Sequence, residues 1–94
     1  MEFTKVEGEK RGEVRMFALS TCGWCKNTKA LLKEIGVEFS YVNVDLLEGE
    51  EKSRAIDEMG KHNPSTSFPT LVIDGEKVII GFREKDIREA LGNG

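Results

Sequence analysis

Val14-Arg15-Met16-Phe17-Ala18-Leu19-Ser20-Thr21-Cys22-Gly23-Trp24-Cys25, continuing as Lys26-Asn27-Thr28-Lys29-Ala30-Leu31-Leu32-Lys33-Glu34-Ile35-Gly36, is the stretch that decides the fold. Val14 to Leu19 is an apolar run of a length suited to a mostly buried strand. Ser20 and Thr21 then offer side chains of the kind that cap a helix N-terminus. From about Gly23 to Ile35 the pattern turns helical. Ala30, Leu31, Leu32 and Ile35 supply an apolar side, and Lys26, Lys29 and Lys33 share the opposite one at spacings of three and four. Gly36 stands where a helix end wants a positive φ.

Downstream, Phe39 to Val44 is rich in β-branched and aromatic residues and reads as a strand that Asp45 ends. Leu47 to Met59 reads as a second helix. Glu48, Glu50 and Glu51 lie in its first turns, where the helix dipole favours anions, and Gly60 is its expected stop. Residues 61–67 are loop chemistry throughout, with His62 among them. Thr70 to Ile73 and Lys77 to Ile80 flank Asp74-Gly75-Glu76, a hairpin signal. Arg83 to Leu91 reads as a terminal helix, with Ile87 and Leu91 one turn apart and Gly92 as cap.

The order is β-α-β-α-β-β-α, an α/β chain. A strand, a crossover helix and a second strand form a parallel pair, and the hairpin adds antiparallel strands. A mixed four-stranded sheet with helices on both faces accounts for every element. Residues 1–13, rich in charges of both signs, stand apart as an N-terminal extension: a tail, or an edge strand packing Phe3 and Val6. Residues 14–94 form the domain.

Composition narrows the function. Fourteen basic and 17 acidic residues leave a net charge of −3, a poor match to nucleic acid, which wants a basic field. At 38% hydrophobic and 33% charged the chain suits a soluble globule. No apolar run is long enough to span a membrane. The N-terminus lacks the apolar segment of a signal peptide, so a cytoplasmic location is expected; a monomer is the expected state.

Cys22 and Cys25 are the only cysteines. A bridge between them closes almost no loop and would stabilise little, so chemistry is the better reason for it. Cys22 falls where a strand ends and a helix begins. Free backbone N–H groups and the positive end of the helix dipole there favour a thiolate, the nucleophile of disulfide exchange. Cys25, about a turn further in, is placed to resolve the mixed disulfide that Cys22 would form. Gly23 lets a partner backbone approach, and Trp24 covers the rim. Zinc is the competing use of such a pair, but it wants four ligands and His62 is the one evident addition. His62 otherwise reads as a plain loop histidine. Lys26 and Lys29 either raise the potential around the thiols or form a solvated helix face. Pro69 opens the third strand, and taken blind its peptide bond is trans.

Cys22-Gly23-Trp24-Cys25 opening a helix, Phe68-Pro69-Thr70 opening a hairpin, and Gly81 after it resemble glutaredoxins. Thr28-Lys29-Ala30, Gly36-Val37-Glu38-Phe39, Val42-Asn43-Val44-Asp45 and Gly81-Phe82-Arg83 bring the likeness nearest to the glutaredoxin-like redoxins of the NrdH type, over residues 14–91. The resemblance implies a thioredoxin fold with strand order 2-1-3-4 and a cis Pro69. It makes Cys22 the nucleophile and Cys25 the resolving thiol. It implies a docking groove of Phe68, Pro69, Thr70, Gly81 and Phe82, beside Gly23 and Trp24. It further implies a protein disulfide as substrate, thioredoxin reductase or another disulfide reductase as electron donor, and ribonucleotide reductase as a target. No cofactor beyond the redox-active pair is expected. Two features depart from glutathione-using members: Leu19 replaces a lysine, and Phe82 follows Gly81 with Asp86 displaced along the chain. Glutathione-dependent deglutathionylation and a [2Fe–2S]-binding module are the alternatives the resemblance leaves open. Met16 stands where thioredoxins keep a buried acid, so no local carboxylate is an evident proton acceptor for Cys25.

Overall fold

The computed structural model describes residues 2–92. Strand β2 (Val14–Ala18) lies at the centre of the sheet. It pairs in parallel with β3 (Phe39–Asn43) and antiparallel with β4 (Thr70–Ile73), which in turn pairs antiparallel with β5 (Lys77–Ile80). A strand with neighbours on both sides and helices on both faces must be apolar on both faces, which is why Val14, Met16, Phe17 and Ala18 run almost without interruption.

Side chains alternate across the sheet. Val14, Met16 and Ala18 pack with Cys25, Leu31 and Leu32 of helix α1 (Gly23–Ile35) and with Ile87 of helix α3 (Glu84–Ile87). Phe17 faces the other way, onto Ala55 and Met59 of helix α2 (Gly49–His62) with Val42, Val44 and Val72. Met16 and Leu32 are fully buried, and each such side chain stabilises the fold by roughly 1.5–3 kcal/mol relative to exposure.

The sheet has five strands where the sequence reading expects four. The additional strand is β1 (Thr4–Val6), antiparallel to β3 with Thr4 opposite Tyr41 and Val6 opposite Phe39. The extension is thus tied to the sheet as an edge, and Phe3 meets Phe17 edge-on at 5.6 Å. The other four strands keep the expected relative order. Gly8 makes the attachment possible. A Cβ there would lie 2.7 Å from the Val37 carbonyl carbon. Without one, Glu9 exchanges 2.8 Å hydrogen bonds with the backbone of Gly36 and Glu38.

Several local expectations are corrected. Ala30 is exposed and Thr28 is buried, so the buried stripe of α1 runs through Cys25, Thr28, Leu31 and Leu32. Lys29 is not on a solvated face; its ammonium lies 3.8 Å from the Tyr41 ring centroid. Gly36 does end α1, at φ 84°. A short 3₁₀ turn, Val44–Leu46, separates β3 from α2. Helix α2 continues through Gly60 to His62, because burial of Ala55 and Met59 outweighs one glycine's cost of about 1 kcal/mol. His62 therefore belongs to the helix end and not to the loop. The terminal helix widens after Ile87 into a π-type segment, Arg88–Gly92, where Arg11 donates to the Leu91 carbonyl.

Candidate active site

The chain leaves β2 at Ala18, passes through Leu19, Ser20 and Thr21, and enters α1 at Cys22. Cys22 itself is the N-cap, in extended conformation at φ −87° and ψ 118°, and its Sγ accepts the Cys25 N–H at 3.1 Å. The expected caps, Ser20 and Thr21, do not serve. Ser20 instead donates from both its backbone N–H and its hydroxyl to the Asp45 carboxylate. Those two hydrogen bonds hold the Asp45 carboxyl below its ordinary value. They fasten the segment before Cys22 to the end of β3, so the sulfur takes the capping position.

The two thiols differ in surroundings. Both are reduced. Cys22 is half-buried, while Cys25 is fully buried among the β2 and α1 core residues. Burial, and then the contact with Cys22, pushes the Cys25 thiol up to about 12. Lys29, one turn further along α1, is pushed below its ordinary value by its own burial, and the charge of Cys25 opposes that shift. Lys26 remains exposed.

Two apolar surfaces lie near this end of the sheet. In one, Trp24, 61% exposed, stacks on Phe82 with ring centroids 5.9 Å apart and planes 19° apart. In the other, Phe68 and Leu19 border an apolar cavity of about 270 Å³ whose far wall is Ile56 and Met59 of α2. The Phe68–Pro69 bond is cis, and the Pro69 carbonyl accepts the Gly81 N–H at 2.9 Å. Gly23 has open space around its α-carbon. Thus Gly23, Trp24, Phe68, Pro69, Gly81 and Phe82 come from distant parts of the chain to one end of the sheet. Thr70 lies beneath this surface and not in it. It is fully buried, with its hydroxyl donating to the Ser67 carbonyl at 2.7 Å.

The sequence reading missed Asn63. This buried amide donates to Thr70 Oγ1 at 2.9 Å and to Ser67 Oγ at 3.1 Å, and its Oδ1 accepts the Ser65 N–H. It thereby shapes the loop that carries Phe68 and Pro69. Its one sequence signal is an asparagine immediately before Pro64. Arg83 donates to the Ile80 carbonyl and faces Asp86 at 3.8 Å. Among the described residues, no three His, Cys, Asp or Glu side chains converge on a metal position, and no helix is long and apolar enough to cross a membrane.

Comparison with known proteins agrees with this geometry. A family model for glutaredoxins matches residues 14–78. An uncharacterized glutaredoxin-like 8.6 kDa protein of the rubredoxin operon of Clostridium pasteurianum is 34% identical over 76 residues, covering 79% of this chain and 91% of that protein. The crystal structure of Methanosarcina acetivorans methanoredoxin is 60% identical with a TM-score of 0.87, over 90% of each chain. That of the glutaredoxin of Methanosarcina mazei Go1 is 54% identical with a TM-score of 0.89, over 98% of this chain and 89% of the other. The glutaredoxin of Archaeoglobus fulgidus is 39% identical with a TM-score of 0.80, over 89% of each.

Proposed function

The chain belongs to the glutaredoxin family, and from that premise we propose that it reduces protein disulfides by a dithiol mechanism in the cytosol. One observation carries the proposal: a half-exposed Cys22 sulfur at a helix N-cap, receiving the Cys25 N–H at 3.1 Å, above a fully buried Cys25. The N–H donor and the helix end favour negative charge on the Cys22 sulfur.

The Cys22 thiolate attacks one sulfur of the substrate disulfide. That bond breaks, a mixed disulfide forms, and the departing substrate sulfur leaves as a thiolate and takes a proton. Cys25 then gives up its proton and attacks the Cys22 sulfur. The second substrate sulfur leaves and takes up that proton. The substrate has gained two electrons, and the protein holds a Cys22–Cys25 disulfide. A thioredoxin reductase or another disulfide reductase returns the electrons, so the redox centre is the cysteine pair itself. On the likeness to NrdH-type redoxins, ribonucleotide reductase is among the disulfides served.

A protein substrate is favoured over glutathione by the apolar setting of the groove. Leu19 lines an apolar cavity, Trp24 and Phe82 present a stacked aromatic face, and Asp86 is engaged by Arg83. The test is a titration in glutathione redox buffers with thiol alkylation and mass readout. A potential near about −270 mV without a glutathione adduct supports the proposal. A value around −200 to −230 mV with an adduct on Cys22 assigns a glutathione-linked activity instead. The Cys25→Ser variant separates the two again: it loses protein disulfide reduction under the first and keeps glutathione-linked turnover under the second.

A further inference from the structure

The resolving step has a cost that the site as described does not meet. Cys25 must carry negative charge to attack, yet it is fully buried. The position that could hold a proton-accepting carboxylate beneath it is Met16, itself fully buried. Lys29 is the group left over. It sits four residues after Cys25 and seven after Cys22, so all three share one face of α1. Helix side chains lean towards the N-terminus, the side on which Cys25 lies one turn before Lys29. Of the lysines on α1, Lys26 and Lys33 are exposed and Lys29 is half-buried. Its ammonium is held 3.8 Å from the Tyr41 ring centroid, Tyr41 coming from β3. Among the described residues no carboxylate forms an ion pair with it.

We infer that Lys29 is a positioning residue for the second chemical step: its cation, pinned on Tyr41 one turn behind Cys25, stabilises the charge on the Cys25 sulfur as it attacks the mixed disulfide. This rests on the dithiol reading above. Bonds and electrons are those already given, with the Cys25 proton going to the departing substrate sulfur. Lys29 exchanges no proton and supplies only charge. Its electrostatic coupling is larger to Cys25 than to Cys22, which assigns it to resolution more than to first attack.

The magnitude follows from thiolate chemistry. Burial and the Cys22 contact weigh more on Cys25 than the Lys29 charge does, so about one pK unit, the low end for a nearby opposite charge, is the most that losing Lys29 should bring. Each unit lost cuts the Cys25 thiolate tenfold, while the sulfur's intrinsic nucleophilicity rises by about threefold. The net slowing is then at most about threefold.

The experiment uses the reduced full chain and 4,4′-dithiodipyridine, an uncharged disulfide. Attack by Cys22 releases one pyridinethione, and attack by Cys25 releases the second, so stopped-flow absorbance separates the steps. Lys29→Met keeps an unbranched side chain over Tyr41 without the charge. It is expected to slow the second phase about two- to threefold at pH 7 and the first phase less, and Lys29→Arg is expected to restore the second. Lys29→Gln repeats the test should the methionine variant fold poorly. The potential at pH 7 should hardly move, because reduced Cys25 stays protonated with or without Lys29. A second phase unchanged in both Lys29→Met and Lys29→Gln overturns the inference, as does equal slowing of both phases. Failure of the dithiol reading looks different: wild type itself would release a single equivalent.

Discussion

Raising the pH should destabilise the reduced protein through Cys25. The folded state moves this thiol from an ordinary value of 9.0 to about 12, chiefly by burial. Between those values the unfolded chain has released the proton and the folded chain still holds it. The folded state therefore binds more protons, and stability falls as pH rises. The contribution of Cys25 is fully present below about pH 9 and declines across the window up to 12. At about pH 10.5 the loss amounts to roughly 2 kcal/mol, a sizeable part of a small domain's stability. The assay is urea unfolding of reduced wild type and Cys25→Ala under anaerobic reductant, at about pH 7 and 10.5. Cys25→Ala has a packing penalty of its own, but that penalty is the same at both pH values and cancels in the double difference. Other titrating groups cancel likewise. Wild type should lose about 2 kcal/mol more than the variant between the two conditions. Equal losses would mean that Cys25 ionises freely and that its depth does not keep the thiol protonated.

Three further perturbations test the architecture around the thiols. Asn63→Ala removes the donor to Thr70 Oγ1 and Ser67 and should cost about 1–3 kcal/mol in urea unfolding; a loss below about 0.5 kcal/mol would show that the loop shapes itself without it. Gly8→Ala places a methyl 2.7 Å from the Val37 carbonyl carbon. It should speed amide hydrogen exchange at Glu9 and Glu38, and unaltered protection of both would contradict the close approach. Phe82→Ala removes the ring stacked under Trp24, the only tryptophan. It should weaken the indole near-ultraviolet dichroism and lower stability by about 0.5–1.5 kcal/mol. An unchanged spectrum would mean that the two rings do not stack in solution.

Much of the scaffold was legible from periodicity alone. The β2 run, the Asp74-Gly75 hairpin and the Gly36 stop are local signals, and each matches its element in the structure. The position of Cys22 at a strand-to-helix junction was legible for the same reason, because the change of period falls on Ser20 to Gly23. What stayed open or was misread is mostly long-range. Residues 4–6 took the edge-strand alternative over the tail because β3 offers an unpaired edge and Gly8 permits the crossing. Helix α2 ran past Gly60 because Met59 is buried against Phe17 and its neighbours. Ser20 was drawn from its capping role by Asp45, 25 residues away.

The sequence by itself determined that Cys22 and Cys25 lie one helical turn apart at the mouth of α1, since that needs only neighbours within a few residues. It could not determine how deep each sulfur sits. That depends on the core that Met16, Leu71 and Ile87 form with Cys25 and others from separate elements. The tertiary structure also decided that Trp24 meets Phe82, that Asn63 reaches Thr70, and that Lys29 leaves solvent for the Tyr41 ring. Local pattern fixes which way a side chain points along its own element. What it points at, and the dielectric it then feels, is set by packing between elements far apart in the chain.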